Sequence, residues 1–213
     1  MPDRFPDYDV LAKRTSPSWN DKTREVIDQR LSMPESCDAL TEQQQATLRL
    51  VIDRVVPQPE DRASVNAFAL LAAKIAANKS DGFRHHRLPP VREAWQRGLD
   101  AIDAEAKAHF DTPFAQLDAA QADAILSMVQ QEKVTLAQWA DIPAELFWSW
   151  RLIPDIVSAY YAHPSAWSAM GFGGPASPRG YVRLQKNRRD PWEAAEADSG
   201  ILISAKRKNR HVV

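Results

Sequence analysis

Between Thr41 and His163 apolar residues return at helical spacing, and nowhere along the chain do they alternate. Leu48, Val51, Ile52 and Val55 fall at i, i+3, i+4 and i+7, one stripe of an amphipathic helix. Phe68, Leu71, Ala72 and Ile75 make a second stripe, and Val91, Trp95, Leu99, Ile102 and Ala106 a third. A fourth runs through Ile125, Leu126, Met128 and Val129, and a fifth through Leu146, Phe147, Trp150, Ile153, Val157, Tyr160 and Tyr161. A helix with one apolar face must bury it, and without strands only other helices can cover it. The pattern predicts an all-α fold, a helical bundle of about six helices joined by short loops.

Punctuation sets the boundaries. Asn20 caps a short helix over residues 21–31, and Thr41 with Gln44 forms a capping box. Pro57 and Pro59 stop that second helix, Ser64 caps the next, and a Ser80-Asp81-Gly82 turn closes it. Pro89-Pro90 open a long helix reaching Phe110, Asp118 with Gln121 marks another entry, and Pro143 begins the last helix. Pro154 inside that last helix predicts a kink or break. The bundle domain thus covers residues 21–163. An extended leader, residues 1–20, precedes it, with Pro2, Pro6 and Pro17 beside the aromatic anchors Phe5, Tyr8 and Trp19. After His163-Pro164 four of the seven glycines crowd between Gly171 and Gly180, so residues 164–195 read as an irregular, extended C-terminal arm. Residues 196–213 read as a basic, flexible tail.

The whole chain carries a net charge of −1, which gives no general pull toward nucleic acid or membrane. From Arg179 onward there are nine basic and four acidic residues, a surplus of five, so the remainder carries −6. An acidic body with a basic end suits docking on a partner, and a solvated tail accounts for it equally well. The longest apolar run, Ala67 to Ala73, falls far short of the roughly 18 residues a span requires. Met1 to Arg14 lacks the apolar stretch of a signal peptide, so the expected address is cytoplasmic, or periplasmic only if another chain carries it across, without direct membrane insertion. The lone Cys37 excludes an intrachain disulfide and an internal four-cysteine cluster, and it reads as a spectator thiol.

Little in the sequence has the form of a catalytic site. His85 and His86 are adjacent without a ligand partner at helical spacing, so no metal is expected. Gly171-Phe172-Gly173-Gly174 has neither the Lys-Ser/Thr of a P-loop nor a preceding strand, so it reads as a loop rather than a cofactor cradle. Asp100, Asp103 and Glu105 read as a solvated helix face. His163, at the end of the last predicted helix, reads as a cap that favours the helix dipole. Trp148, Trp150, Tyr160, Tyr161 and Trp167 cluster ahead of the arm, and the spacing of Trp148 and Trp150 sends their rings to different helix faces.

The stretch Ala159-Tyr160-Tyr161-Ala162-His163-Pro164-Ser165-Ala166-Trp167, continuing into Gly171-Phe172-Gly173-Gly174-Pro175-Ala176-Ser177-Pro178-Arg179-Gly180-Tyr181, resembles the C-terminal signature of the gluconate 2-dehydrogenase subunit 3 family. Arg188-Arg189-Asp190-Pro191-Trp192-Glu193, Val55-Val56-Pro57-Gln58-Pro59, Leu88-Pro89-Pro90-Val91-Arg92-Glu93-Ala94-Trp95 and Tyr8-Asp9-Val10-Leu11-Ala12-Lys13-Arg14 add to it, so the resemblance spans residues 5–195. It implies a small helical subunit that binds no cofactor itself and supports a large FAD-dependent oxidoreductase of the glucose-methanol-choline class. That partner would oxidise an alcohol carbon of a sugar, sugar acid or glycoside and pass electrons to a cytochrome or quinone. The family carries no catalytic residue onto a position here, and the twin-arginine export signal of some members has no counterpart in Met1 to Arg14. The expected partner interface is Trp148, Tyr160, Tyr161, His163, Pro164, Trp167, Phe172, Gly173, Gly174, Pro175, Arg179, Gly180, Tyr181, Arg183 and Trp192.

Two other readings stay open on the residues alone. One is a stand-alone enzyme using His163 with Tyr160 or Tyr161 as acid and base. The other is nucleic-acid binding through the basic tail, which the near-neutral chain and the lack of a recognition motif argue against.

Overall fold

The computed structural model describes residues 3–59, 62–79, 82–177, 179–197 and 202–212. In chain order its helices are α1 (Asp21–Leu31), α2 (Glu42–Val55), α3 (Ala67–Ala77), α4 (Val91–Phe110), α5 (Ala119–Gln130), α6 (Ala144–Phe147), α7 (Ile153–Tyr161), α8 (Pro164–Met170) and α9 (Leu202–Asn209). Short 3-10 turns occupy Val10–Thr15, Phe114–Gln116 and Ala137–Trp139. No strand occurs among the described residues beyond an isolated bridge between Trp19 and Ser177, so the fold is all-α as the periodicity requires. The chain divides into two compact units, one from residues 33–57 and 66–159, the other from residues 1–32, 58–65 and 160–213. This division differs from a leader, a bundle over 21–163 and an arm, because α1 and residues 58–65 group with the two chain ends.

In the bundle unit the caps act where the sequence puts them. Thr41 with Gln44, and Asp118 with Gln121, form complete capping boxes. The start of α3 differs: Asn66, not Ser64, accepts the Ala69 N–H at 3.0 Å. Just before it, the buried Val65 donates its N–H to Gln58 Oε1 at 2.9 Å. Of the expected turn after α3, Ser80 and Asp81 lie outside the described residues; α3 itself ends on Asn78 in the left-handed region. The four stripes on α2 to α5 face inward, with Leu48, Leu71, Ile75, Trp95, Ile102 and Ile125 wholly buried. Trp95 meets Phe147 edge-on at 5.4 Å. Gly98 makes room for that ring, since a Cβ there would lie 2.3 Å from Phe147 Cζ.

Pro154 has the predicted effect in a specific form. It offers no N–H to the turn before it, and a π-helical turn, Trp148–Leu152, joins α6 to α7 there. The wider turn shifts the inward face off the regular stripe. Leu152 and Ile156 are buried where the regular spacing pointed to Ile153 and Val157, and Trp150 faces outward. The shift also brings Asp155 inside, where its carboxylate accepts the Trp95 indole N–H at 2.9 Å and the Lys74 ammonium at 2.9 Å, with Arg151 at 3.5 Å. Asp103 and Glu105 are corrected too. Both are buried, Asp103 accepting from the Phe114 N–H at 2.9 Å and Glu105 from the Trp139 indole at 3.1 Å. Cys37 is buried, with its thiol 3.5 Å from the Ala72 carbonyl.

The second unit is composite, built from the two ends of the chain. Its core is Tyr8, Val10, Trp19, Ile27, Trp167, Trp192 and Val212, with Phe5, Leu11 and Ala194 packed against it. Ordering one backbone residue costs about 1–2 kcal/mol, comparable to burying one large side chain, so a leader is fixed only by several anchors and their hydrogen bonds. Those bonds are present. The Tyr8 hydroxyl donates to the Trp192 carbonyl at 3.1 Å, the Val10 N–H to Ser168 Oγ at 3.0 Å, and the Asn20 N–H to the Ser177 carbonyl at 3.0 Å. Arg62 donates to the Phe5 carbonyl at 2.6 Å and pairs with Asp3 at 2.7 Å. The leader is therefore folded, with a 3-10 turn and a buried Lys13, not extended. The tail is corrected likewise. Residues 202–209 are helical, and Asn209 bonds the Pro6 carbonyl at 2.8 Å and both backbone groups of Ala195. Lys206, Arg207 and Lys208 in the last turn of α9 suit its dipole.

Candidate functional site

Residues 160–193 hold most of the expected interface, and the structure sorts them into buried and presented groups. The segment starts with a helix, α8, where an irregular arm was expected. Seven residues give too short a stripe to show a period, but Pro164 at its first position and a capping residue before it set the entry. That cap is His163, whose Nδ1 accepts the Ser165 N–H at 3.1 Å. The role is the opposite of a cation at a helix C-terminus. It requires an unprotonated Nδ1, and burial holds the imidazole pKa below its ordinary value. Tyr160 is buried, with its phenol pKa raised first by burial and then by Tyr161, and it meets the half-exposed Tyr161 edge-on at 5.1 Å. His163 Nδ1 is thus occupied as a helix cap, and the Tyr160 phenol holds its proton more tightly than a free one.

Trp167 and Trp192 are core residues of the composite unit, not surface anchors, and Pro164 is buried with them. The sequence shows their size and their irregular setting. It does not show that the leader supplies the covering residues from the far end of the chain. Gly171 ends α8 in the left-handed region. Beyond it Gly173 lies over Lys13, Gly174 is packed against Trp167 and Trp19, and Pro175 shares a shallow groove with Asn20 and Val26. Gly180 is exposed.

The remaining positions form an outward loop on a polar frame. Arg183 is bound to Glu193 through Nε and Nη2 at 2.9 to 3.2 Å, and that pairing raises its pKa. Asp190 is buried, accepts the Leu184 N–H at 2.8 Å and lies 3.8 Å from Arg179. The Arg179 guanidinium lies over the Trp192 ring at 5.1 Å and donates to the Val182 carbonyl. The Tyr181 hydroxyl donates to the Gly174 carbonyl at 3.3 Å. On this frame Tyr181, Val182 and Leu184 are 70%, 74% and 62% exposed, and Phe172, 38% exposed, lies between Trp167, which it meets edge-on, and a tilted Tyr181. Val182 and Leu184, which the expected interface left out, are exposed beside it. Their only sequence signal is an apolar pair among charges.

Trp148 belongs to the bundle unit, half-buried in a cleft with Arg54, Asp123 and Leu126. Trp150 is exposed near Phe83 and His85, with ring centroids at 5.5 and 5.6 Å. Among the described residues no three His, Cys, Asp or Glu side chains gather as metal ligands, and no helix is long and apolar enough to cross a membrane. The glycine loop follows helix α8 and not a strand.

A sequence model of the family described as "Gluconate 2-dehydrogenase subunit 3" matches residues 42–174, well over half of the chain. The matched span covers the bundle, α7 and α8 and stops at Gly174, short of the outward loop. No curated protein and no solved structure matches.

Proposed function

Because the chain belongs to the gluconate 2-dehydrogenase subunit 3 family, we propose that it is the small, non-catalytic subunit of a dehydrogenase complex and docks on the large subunit through its outward loop. The observation that carries this reading is the exposure of Tyr181, Val182 and Leu184 on a loop pinned by the Arg183–Glu193 and Asp190–Leu184 bonds. Apolar side chains gathered in water mark a contact surface, and a rigid frame lowers the entropy lost on docking. Phe172 and Tyr161 extend the apolar surface of this unit, and Arg179 and Arg183 give it a charged rim. The loop lies beyond the family's matched residues, so its role rests on this chain's own geometry.

The partner we propose is an FAD-dependent oxidoreductase of the glucose-methanol-choline class, acting on an alcohol carbon of a sugar, sugar acid or glycoside. Flavin and chemistry reside in that subunit, and electrons leave it for a cytochrome or quinone. A subunit that binds only the folded partner stabilises it by mass action. Co-expression with a dehydrogenase large subunit of this class should yield a yellow complex that survives affinity purification. The double variant Val182→Asp, Leu184→Asp should keep the native helical content and lose the complex, at least tenfold in affinity for two desolvated charges. A complex that forms unchanged with this variant moves the docking surface elsewhere.

A further inference from the structure

The composite unit holds a half-open cavity of about 320 Å³, at the small end of ligand-binding pockets, between the glycine loop after α8 and the loop carrying Arg179 and Trp192. Its charges do not balance. Arg183 is neutralised by Glu193 at 2.9 Å and Arg179 faces Asp190 at 3.8 Å, which leaves the ammonium of Lys13. Lys13 is 2% exposed and forms no ion pair among the described residues. Its three N–H donors have one hydrogen bond, to Ser18 Oγ at 3.1 Å, and one ring, Trp19, at 5.2 Å. Burial pulls its pKa down to about 8, with Glu193 acting weakly the other way, so the ammonium stays charged at neutral pH. Gly173 packs against it with backbone alone, and a Cβ there would lie 3.3 Å from Nζ. Two further buried donors in this unit lack acceptors, Arg179 Nη1 on the cavity wall and the indole N–H of Trp19.

Buried donors without acceptors, around one uncompensated positive charge, ask for an oxyanion. We propose that this cavity binds the carboxylate of a small monoanionic molecule, held by the Lys13 ammonium and by Arg179, with its body against Tyr181 and Trp192. A dianion fits less well, since Asp190 and Glu193 also line the wall and only one positive charge is in excess. The cavity limits the guest to a small molecule, and the phenol and indole rings accept either an aromatic or a hydroxylated body.

The test is calorimetric titration of the full chain at constant ionic strength with acetate, benzoate and gluconate, and separately with inorganic phosphate. At least one carboxylate should saturate one site at or below about 10 mM, as expected of a charge-assisted contact to a few-atom ligand. Lys13→Met should weaken it at least tenfold without lowering the melting temperature, because a buried ammonium short of partners is removed. Gly173→Ala, which crowds Nζ and keeps its charge, should weaken binding by a smaller factor and stands in if Lys13→Met does not fold. Absence of binding by all three carboxylates, binding indifferent to both variants, or phosphate binding more tightly than every carboxylate would each overturn the assignment.

Discussion

In the bundle unit, helices close in sequence cover one another, and each is announced by its own stripe and caps. In the composite unit the partners of Trp167 and Trp192 are Tyr8, Val10 and Trp19, more than 140 positions away in the chain. The bundle gathers its polar risk at a few buried carboxylates, the most connected being Asp155 with Trp95, Lys74 and Arg151 around it. The composite unit spreads many single ties along irregular backbone, where Asn209, Arg62 and Ser168 each hold a distant segment. A framework of local helices tolerates a few buried charge nodes. A unit closed by long-range ties needs many of them, and each is individually modest.

This contrast can be broken by mutation. Asp155→Ala should be the most damaging change, costing about 3–5 kcal/mol in denaturant unfolding, because it strands the Arg151 guanidinium and the Trp95 N–H in the interior. A cost under about 1 kcal/mol would mean the node is not where the bundle holds its polar stability. Asn209→Ala should cost less, about 1–3 kcal/mol, for leaving the Pro6 carbonyl and the Ala195 backbone groups unpaired. Its effect should be local, with faster amide exchange in residues 4–20 and 192–212 and little change in α2 to α5. Uniform loosening would argue against the composite unit having a stability of its own.

The smallest effect concerns pH. The His163 imidazole is held below its ordinary pKa by burial, so the unfolded chain takes up this proton first as pH falls. Stability from this residue is therefore complete above about pH 6.5 and declines below it, as protonation of Nδ1 competes with the α8 cap. His163→Asn keeps a capping acceptor without a titrating ring and should flatten the acid limb of the stability curve between pH 7 and 5. An unchanged limb would remove His163 as its source.

The same contrast explains what could be read from sequence. The stripes of α2 to α5, their capping boxes and the disturbance at Pro154 were legible because each is a local pattern. The register of α6 and α7 was not, since the π-helical turn adds a residue that regular spacing cannot anticipate. Asp103 and Glu105 read as a wet face because their partners, Phe114 and Trp139, sit in later loops. The glycine- and aromatic-rich end was legible as special, and its division into core and surface was not. Trp192 and Tyr181 look alike in sequence; the leader covers one and leaves the other in water. Lys13 carried no signal, because a lysine in a proline-flanked leader reads as solvated until distant glycines close over it.

Hydrogen exchange across the outward loop, compared between the free chain and the chain bound to a dehydrogenase large subunit, tests the central claim most directly. Docking through this loop predicts strong added protection over residues 172–192, above all near Val182 and Leu184, with the bundle helices little changed. A stable complex in which those amides exchange as fast as in the free chain, with protection appearing elsewhere, would contradict it.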